Sequence, residues 1–138
     1  MAKPTSFDPK HFERCAILRL EEASVLYRAD YTTGAVYLAG YGIECILKSL
    51  ILSSVPQSNR AVMMNSFRRS EGHDYEWLRR IYLSNGGPAF PRPTTKDFAS
   101  VNEWSTQLRY RSDFIRPKEA RAFLEAADRI IEWAKGRL

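Results

Sequence analysis

Apolar residues recur at helical intervals along most of the chain, and they predict five helices. The first predicted helix follows Asp8, a capping residue, and Pro9, a proline suited to the first turn of a helix. No segment alternates between apolar and polar residues over the length of a strand. The predicted helices span about 10–29, 33–53, 74–83, 94–109 and 117–134, the last of them starting at Pro117.

The second predicted helix is apolar on nearly every side. Between Ala35 and Leu52 the charged side chains are Glu44 and Lys48, four positions apart and therefore on one face. The segment is long enough to raise the question of a membrane span, but two charges near its centre argue against one. We therefore expect a buried helix of a protein outside the membrane. Glu44 has two candidate partners, Lys48 on its own helix and the more distant Arg109.

The connections predict how these helices pack. The link 30–33 is so short that the first two long helices must be antiparallel. Residues 53–72 are irregular except for one loose helical turn at 62–67, and glycine and prolines break the chain again between 84 and 93. We predict an all-α fold: an up-and-down antiparallel bundle of four long helices plus one short helix, in a single domain 1–138 with a core of about 10–134.

Composition limits the classes of function only weakly. Cys15 and Cys45, the two cysteines, lie in apolar helical patterns without zinc-ligand spacing and are expected to be reduced core residues. The first residues, 1–6, lack the apolar run of a secretory signal, which favours a cytoplasmic location. The formal net charge is +5 and arginine supplies most of the positive charge, so a polyanion becomes a candidate partner.

Few residues are suited to acid-base chemistry. Glycine-rich phosphate loops, Walker motifs, HExxH and GxSxG are absent from the sequence. Of the two histidines, His11 begins the first helix and is expected to be solvated. His73 stands between Gly72 and Asp74 at a helix start, five residues after Arg68, and is expected to help cap that helix.

Three short runs occur in an order that resembles a known family. They are Tyr-x-x-Gly-Tyr-x-x-Glu-x-x-Leu-Lys at 37–48, His-Asp-x-x-x-Leu at 73–78 and Trp-x-x-x-x-Arg-Tyr at 104–110. Together they resemble HEPN domains, the "higher eukaryotes and prokaryotes nucleotide-binding" helical bundles, over about 10–134.

The resemblance implies both an architecture and an activity. Such proteins are up-and-down bundles of four long helices with an additional short one, and they are usually dimers. Many are prokaryotic toxin–antitoxin or defence components, often associated with a minimal nucleotidyltransferase. Active relatives are metal-independent endoribonucleases with an Arg-x4-6-His motif late in the fold. Its arginine would stabilise phosphate charge while its histidine moves protons.

The chain departs from that motif. Arg109 falls where the motif arginine is expected, but no histidine follows it in the sequence. Asp113 and Phe114 occupy the region of the histidine, and an exposed carboxylate there would be ionised at neutral pH and repel phosphate. Arg68 and His73 have the right spacing but come early in the fold. The candidate catalytic residues are therefore Arg109, His73 and Asp113.

Our leading expectation is a dimeric HEPN-like protein with a degenerate ribonuclease motif that binds RNA or a partner protein. The expected phosphate-binding residues are Arg109, Arg111 and Arg116, and the expected supporting residues are Glu44, Lys48, Tyr41 and Tyr110. The alternatives are an active metal-independent endoribonuclease toxin and a structural adaptor without RNA affinity. Expected partners are a second copy, RNA, and a minimal nucleotidyltransferase or another antitoxin; no metal or other cofactor is expected.

Overall fold

The computed structural model describes residues 8–138, and the regular secondary structure within them is entirely helical. Its α-helices are α1 (Pro9–Arg28), α2 (Thr32–Ser54), α3 (Arg60–Ser66), α4 (Tyr75–Ser84), α5 (Arg92–Val101) and α6 (Pro117–Lys135). Short 3₁₀ helices occupy Gln57–Asn59, Ser70–His73 and Thr106–Tyr110. The all-α prediction is confirmed for this part of the chain.

Helices α1 and α2 form the predicted antiparallel pair. The Asp8 carboxylate accepts a hydrogen bond from the Lys10 amide at 2.9 Å, with Pro9 in the first turn of α1. Asp30 makes the reversal with a φ of 70°, a left-handed conformation in which aspartate is enriched. At the opposite end Ser49 Oγ donates to the Pro9 carbonyl at 2.7 Å, so the start of α1 lies beside the end of α2.

Helix α2 is the centre of the core, as its sequence predicts. Ile43, Leu47 and Ile51 are fully buried, and α1, α4 and α6 all pack against α2. By length and composition alone α2 could cross a membrane, but 78% of its most apolar window is buried by the rest of the protein. That degree of burial is what a core helix requires, because its apolar surface is already covered by protein.

The directions of the remaining long elements follow from their contacts. Thr32, at the start of α2, donates a hydrogen bond to the Ile115 carbonyl just before α6 begins. Farther along, Gly42 of α2 faces Ile131 of α6, so these two helices are parallel.

Helix α5 runs against α6. Its Asp97 forms a bidentate ion pair with Arg129 at 3.0–3.2 Å. Farther along α5, Val101 borders the same groove as Phe123, which precedes Arg129. Helices α1, α2, α5 and α6 therefore alternate in direction, which makes a helical bundle.

The predicted helix 94–109 is wrong at both ends. Helix α5 already begins at Arg92, so Thr94 is a buried residue within the helix and not its first residue. The helix ends at Val101, and the chain then turns so that Trp104 reaches the core. Tertiary packing of this indole overrides the helical spacing of the apolar residues. The bundle consequently has three long helices and two of ten residues each.

The segment between α2 and α4 is more ordered than the sequence indicates. A loose turn is predicted near 62–67, whereas α3 occupies Arg60–Ser66. Phe67 follows it and is buried against the core. This connection therefore packs onto the bundle and sets the position of the residues around His73.

Candidate functional site

A buried ion pair lies on the central helix. Glu44 and Lys48 are 4% and 6% exposed, and Lys48 Nζ lies 2.7 Å from Glu44 Oε2. The ammonium group also lies over the Phe67 ring, 5.3 Å from its centroid. Of the two candidate partners of Glu44, the structure shows Lys48. The alternative, in which Glu44 pairs with Arg109, is wrong for the described residues.

The second oxygen of Glu44 is bound by a histidine. His73 Nδ1 lies 2.8 Å from Glu44 Oε1, and the imidazole is 45% exposed. His73 ends the 3₁₀ helix Ser70–His73, which enters α4. A buried carboxylate thus holds one edge of a ring whose other edge faces outward.

The expected capping role of His73 is wrong. The cap of α4 is Asp74, whose Oδ1 accepts from the amides of Glu76 and Trp77 at 2.9 and 3.4 Å. Because Asp74 satisfies the free amides, the His73 side chain is available for Glu44.

A group of aromatic rings packs next to the cluster formed by Glu44, Lys48 and His73. Trp104 stacks on Tyr75 with centroids 5.4 Å apart, and meets Tyr41 edge to face at 5.2 Å. Tyr41 in turn lies 6.1 Å from His73 between ring centroids. Tyr75 Oη donates to the Gly40 carbonyl at 2.8 Å. The indole N–H of Trp104 is buried without a hydrogen-bond partner among the described residues.

The tyrosines of this cluster remain protonated. Burial raises the pKa of Tyr41 well above its usual value, and the hydrogen bond between the Tyr37 and Tyr41 hydroxyls raises it further. The positive charge of Arg109 acts in the opposite direction, so that guanidinium lies within electrostatic reach of Tyr41. Burial also raises the pKa of Tyr75. Tyr41 is therefore suited to donate a hydrogen bond and not to act as a base.

An open groove of about 610 Å³ lies next to His73. It carries three carboxylates, Asp74, Glu76 and Glu103, beside the imidazole. Hydroxyl and amide groups complete its polar lining: Ser70, Asn102, Ser105, Thr106 and Gln107. The groove therefore combines one potential proton acceptor with a local excess of negative charge.

Arg109 lies on the 3₁₀ helix Thr106–Tyr110 and not on a long helix as predicted. It is exposed, its Nε donates to the Thr106 carbonyl at 3.1 Å, and its guanidinium lies 5.3 Å from the centroid of the Tyr110 ring. Arg109 shares the side of the bundle near Tyr41 with His73, but no hydrogen bond joins the arginine to the Glu44 cluster among residues 8–138.

Arg111 and Asp113 neutralise each other. Two bonds of 2.8 and 3.2 Å join the guanidinium to the carboxylate. The bonded Arg111 holds the pKa of Asp113 below its usual range, and Asp113 in turn raises the pKa of Arg111. Asp113 therefore stays ionised at neutral pH and is poorly suited to replace a catalytic histidine. Arg116 is exposed at the start of α6, apart from this pair.

The segment 106–116 is fixed to the bundle through its backbone. Thr33 Oγ1 donates to the Asp113 carbonyl at 2.7 Å and accepts from the Ile115 amide at 3.0 Å. With the backbone held, Tyr110 and Phe114 remain 74% and 66% exposed. Tyr110 is one of the predicted supporting residues, whereas the exposure of Phe114 gave no clear sequence signal, because aromatic residues in this chain mostly belong to the core.

The other histidine contacts one of the two cysteines. Cys15 Sγ lies 3.8 Å from His11 Nε2, and both cysteines are free thiols. Both are predicted to lie in the core, but both are half-buried, and only Cys45 of the two packs against the core. Burial raises the pKa of Cys45 to about 12, which keeps this thiol protonated and unsuited to act as a nucleophile at neutral pH.

The structure thus brings together four of the predicted site residues, Glu44, Lys48, His73 and Tyr41, and keeps Arg111, Asp113 and Arg116 on a separate segment. Comparisons with protein-family models, with curated proteins and with solved structures give no match for this chain.

Proposed function

We propose that this chain is a HEPN-like helical-bundle protein that binds RNA through segment 106–116, as a component of a prokaryotic toxin–antitoxin or defence system. The observation that carries the proposal is the exposed combination of aromatic rings and guanidinium groups on this segment. Tyr110 and Phe114 are mostly exposed, and Arg109 lies over the Tyr110 ring. Unpaired bases stack on such rings while arginine contacts the phosphates.

The charges on the segment support phosphate binding. Arg109 and Arg116 form no ion pair among the described residues, so their charges are available to a polyanion. Arg111 is paired with Asp113 and contributes less. Each phosphate neutralised by an arginine releases counterions, which favours binding at low salt.

The groove beside His73 is less suited to phosphate than the arginine segment. Asp74, Glu76 and Glu103 line it, and their negative charges oppose a phosphodiester there. This charge distribution favours binding over cleavage as the leading proposal.

Replacing Arg109, Arg111 and Arg116 together with alanine is expected to weaken RNA binding and its salt dependence. For single-stranded RNA, loss of the phosphate contacts of Arg109 and Arg116, with a smaller contribution from the paired Arg111, should reduce the slope of log K against log salt concentration by about 1.4 to 2.1. Fluorescence anisotropy of a labelled, unstructured oligoribonucleotide at several salt concentrations measures both quantities.

The matched control removes the same charge elsewhere. Arg14, Arg80 and Arg137 are exposed and lie outside segment 106–116. If their triple alanine variant loses as much affinity as the first, binding depends on net charge and not on the segment. Absence of any binding at low salt would contradict the RNA proposal and favour the adaptor alternative.

Metal-independent RNA cleavage is a second candidate function, favoured by the contact between His73 and Glu44. An exposed imidazole held by a buried carboxylate is suited to accept a proton from a ribose 2′-hydroxyl. Arg109 would stabilise the developing phosphate charge. The motif histidine that the family would place after Arg109 would then be replaced by one from an earlier segment.

Under this second candidate, His73→Ala is expected to reduce cleavage by a factor of about 10²–10⁴, the usual contribution of a general acid or base. Cleavage is measured on labelled RNA in EDTA, with Arg109→Ala as the second test and His11→Ala as the matched histidine control. Equal cleavage by wild type and His73→Ala would exclude His73 from catalysis.

The homodimer and the nucleotidyltransferase or other antitoxin partner belong to the same proposal and are supported by the family resemblance alone.

A further inference from the structure

We propose that Glu44, backed by Lys48, is a positioning residue that fixes the tautomer of His73. The carboxylate holds the ring with its proton on Nδ1, which leaves Nε2 as a proton acceptor on the groove. The use of Nε2 in RNA cleavage rests on the second candidate function above, whereas the tautomer does not depend on it.

The contact between Glu44 and His73 determines which ring nitrogen carries the proton. An ionised carboxylate accepts hydrogen bonds and has no proton to donate, so at 2.8 Å the hydrogen must belong to His73 Nδ1. A neutral imidazole carries one N–H, and the lone pair then resides on Nε2. Free imidazole side chains prefer the opposite form, so this contact reverses the usual tautomer.

Nε2 lies on the exposed edge of the His73 ring. His73 lines the groove and its side chain is 45% exposed, while Glu44 beneath it is 6% exposed. Among residues 8–138, Nε2 has no hydrogen-bond partner. The ring is thus fixed on its buried edge and free on the edge that a ligand would meet.

Lys48 directs one oxygen of Glu44 toward His73. Its ammonium group occupies Glu44 Oε2, which leaves Oε1 for His73. Buried ion pairs contribute little net stability compared with apolar residues of similar volume. Lys48 and Glu44 would also satisfy each other without a histidine from a distant segment. Orientation of His73 therefore accounts for the buried ion pair better than a contribution to stability does.

The tautomer is measured by NMR of protein with ¹⁵N-labelled histidine, at a pH where the rings are neutral. His11, the second histidine of the chain, is an internal reference. In the wild type we expect the Nδ1–H form to predominate at His73. In the double variant Glu44→Leu/Lys48→Met, we expect the population to shift toward Nε2–H at His73 while His11 remains unchanged.

A predominant Nε2–H form at His73 in the wild type would overturn the proposal, as would an unchanged tautomer in the folded double variant. The wild-type spectrum decides the matter even if the variant does not fold. RNA cleavage is assayed separately: if the tautomer is as expected and the wild type does not cleave RNA, the cleavage candidate fails and the positioning of His73 stands.

Discussion

Gly40→Ala is expected to destabilise the protein by about 1–3 kcal/mol, although alanine is the better helix former. A Cβ at Gly40 would overlap Nε1, Cε2 and Cδ1 of Trp104. The indole has little freedom to move, since it stacks on Tyr75 with an interplanar angle of 10° and meets Tyr41 from its edge. The added methyl group must therefore displace the aromatic cluster or α2 itself.

Gly34→Ala is the matched control on the same helix. A Cβ there would meet only Leu26 Cδ1, at 3.4 Å, the end of a flexible side chain. We expect this variant to be neutral or more stable by up to about 1 kcal/mol, because alanine lowers the cost of ordering the helix. Urea unfolding measures both free energies. If the two variants are equally stable, Trp104 does not pack on Gly40 as described.

The same indole explains where sequence reasoning failed for the fold. Phe98, Val101, Trp104 and Leu108 have helical spacing, so nothing local predicts that α5 stops at Val101. The helix stops because Trp104 packs on the bare backbone of Gly40, more than sixty positions earlier in the chain. By contrast, α2 was predictable because its apolar residues cover nearly every side and require burial whatever surrounds them.

The candidate site shows the same division between local and distant information. Helical spacing predicts the contact of Glu44 with Lys48, and that prediction is one of the two alternatives the sequence offers. The contact with His73 spans 29 positions and two intervening helical segments, so no periodicity encodes it. Asp74 also made the contact between His73 and Glu44 hard to predict, because a Gly-His-Asp run at a helix start also indicates capping.

Glu44→Leu is expected to destabilise the protein by about 3–5 kcal/mol, because it leaves the buried Lys48 charge without a carboxylate. Lys48→Met is expected to cost less, because Glu44 keeps its contact with His73. The loss in Glu44→Leu is a large fraction of the 5–15 kcal/mol by which domains are usually stable. The double variant is expected to recover most of it, since both charges are then replaced by apolar side chains of similar length. His73 loses its partner there but is exposed enough to be solvated.

Urea unfolding of the wild type, both single variants and the double variant gives the coupling free energy of the pair. Additive losses would contradict a direct buried contact. The control is Lys10→Met with Glu13→Leu, which removes an ion pair one turn apart on α1 whose lysine is exposed. The coupling free energy of that pair should stay within about 1 kcal/mol.

The double variant Glu44→Leu/Lys48→Met also separates stability from function. If it keeps the fold and the arginine segment, it should retain RNA binding. Because it lacks the carboxylate that orients His73, it should cleave RNA more slowly than a wild type that cleaves.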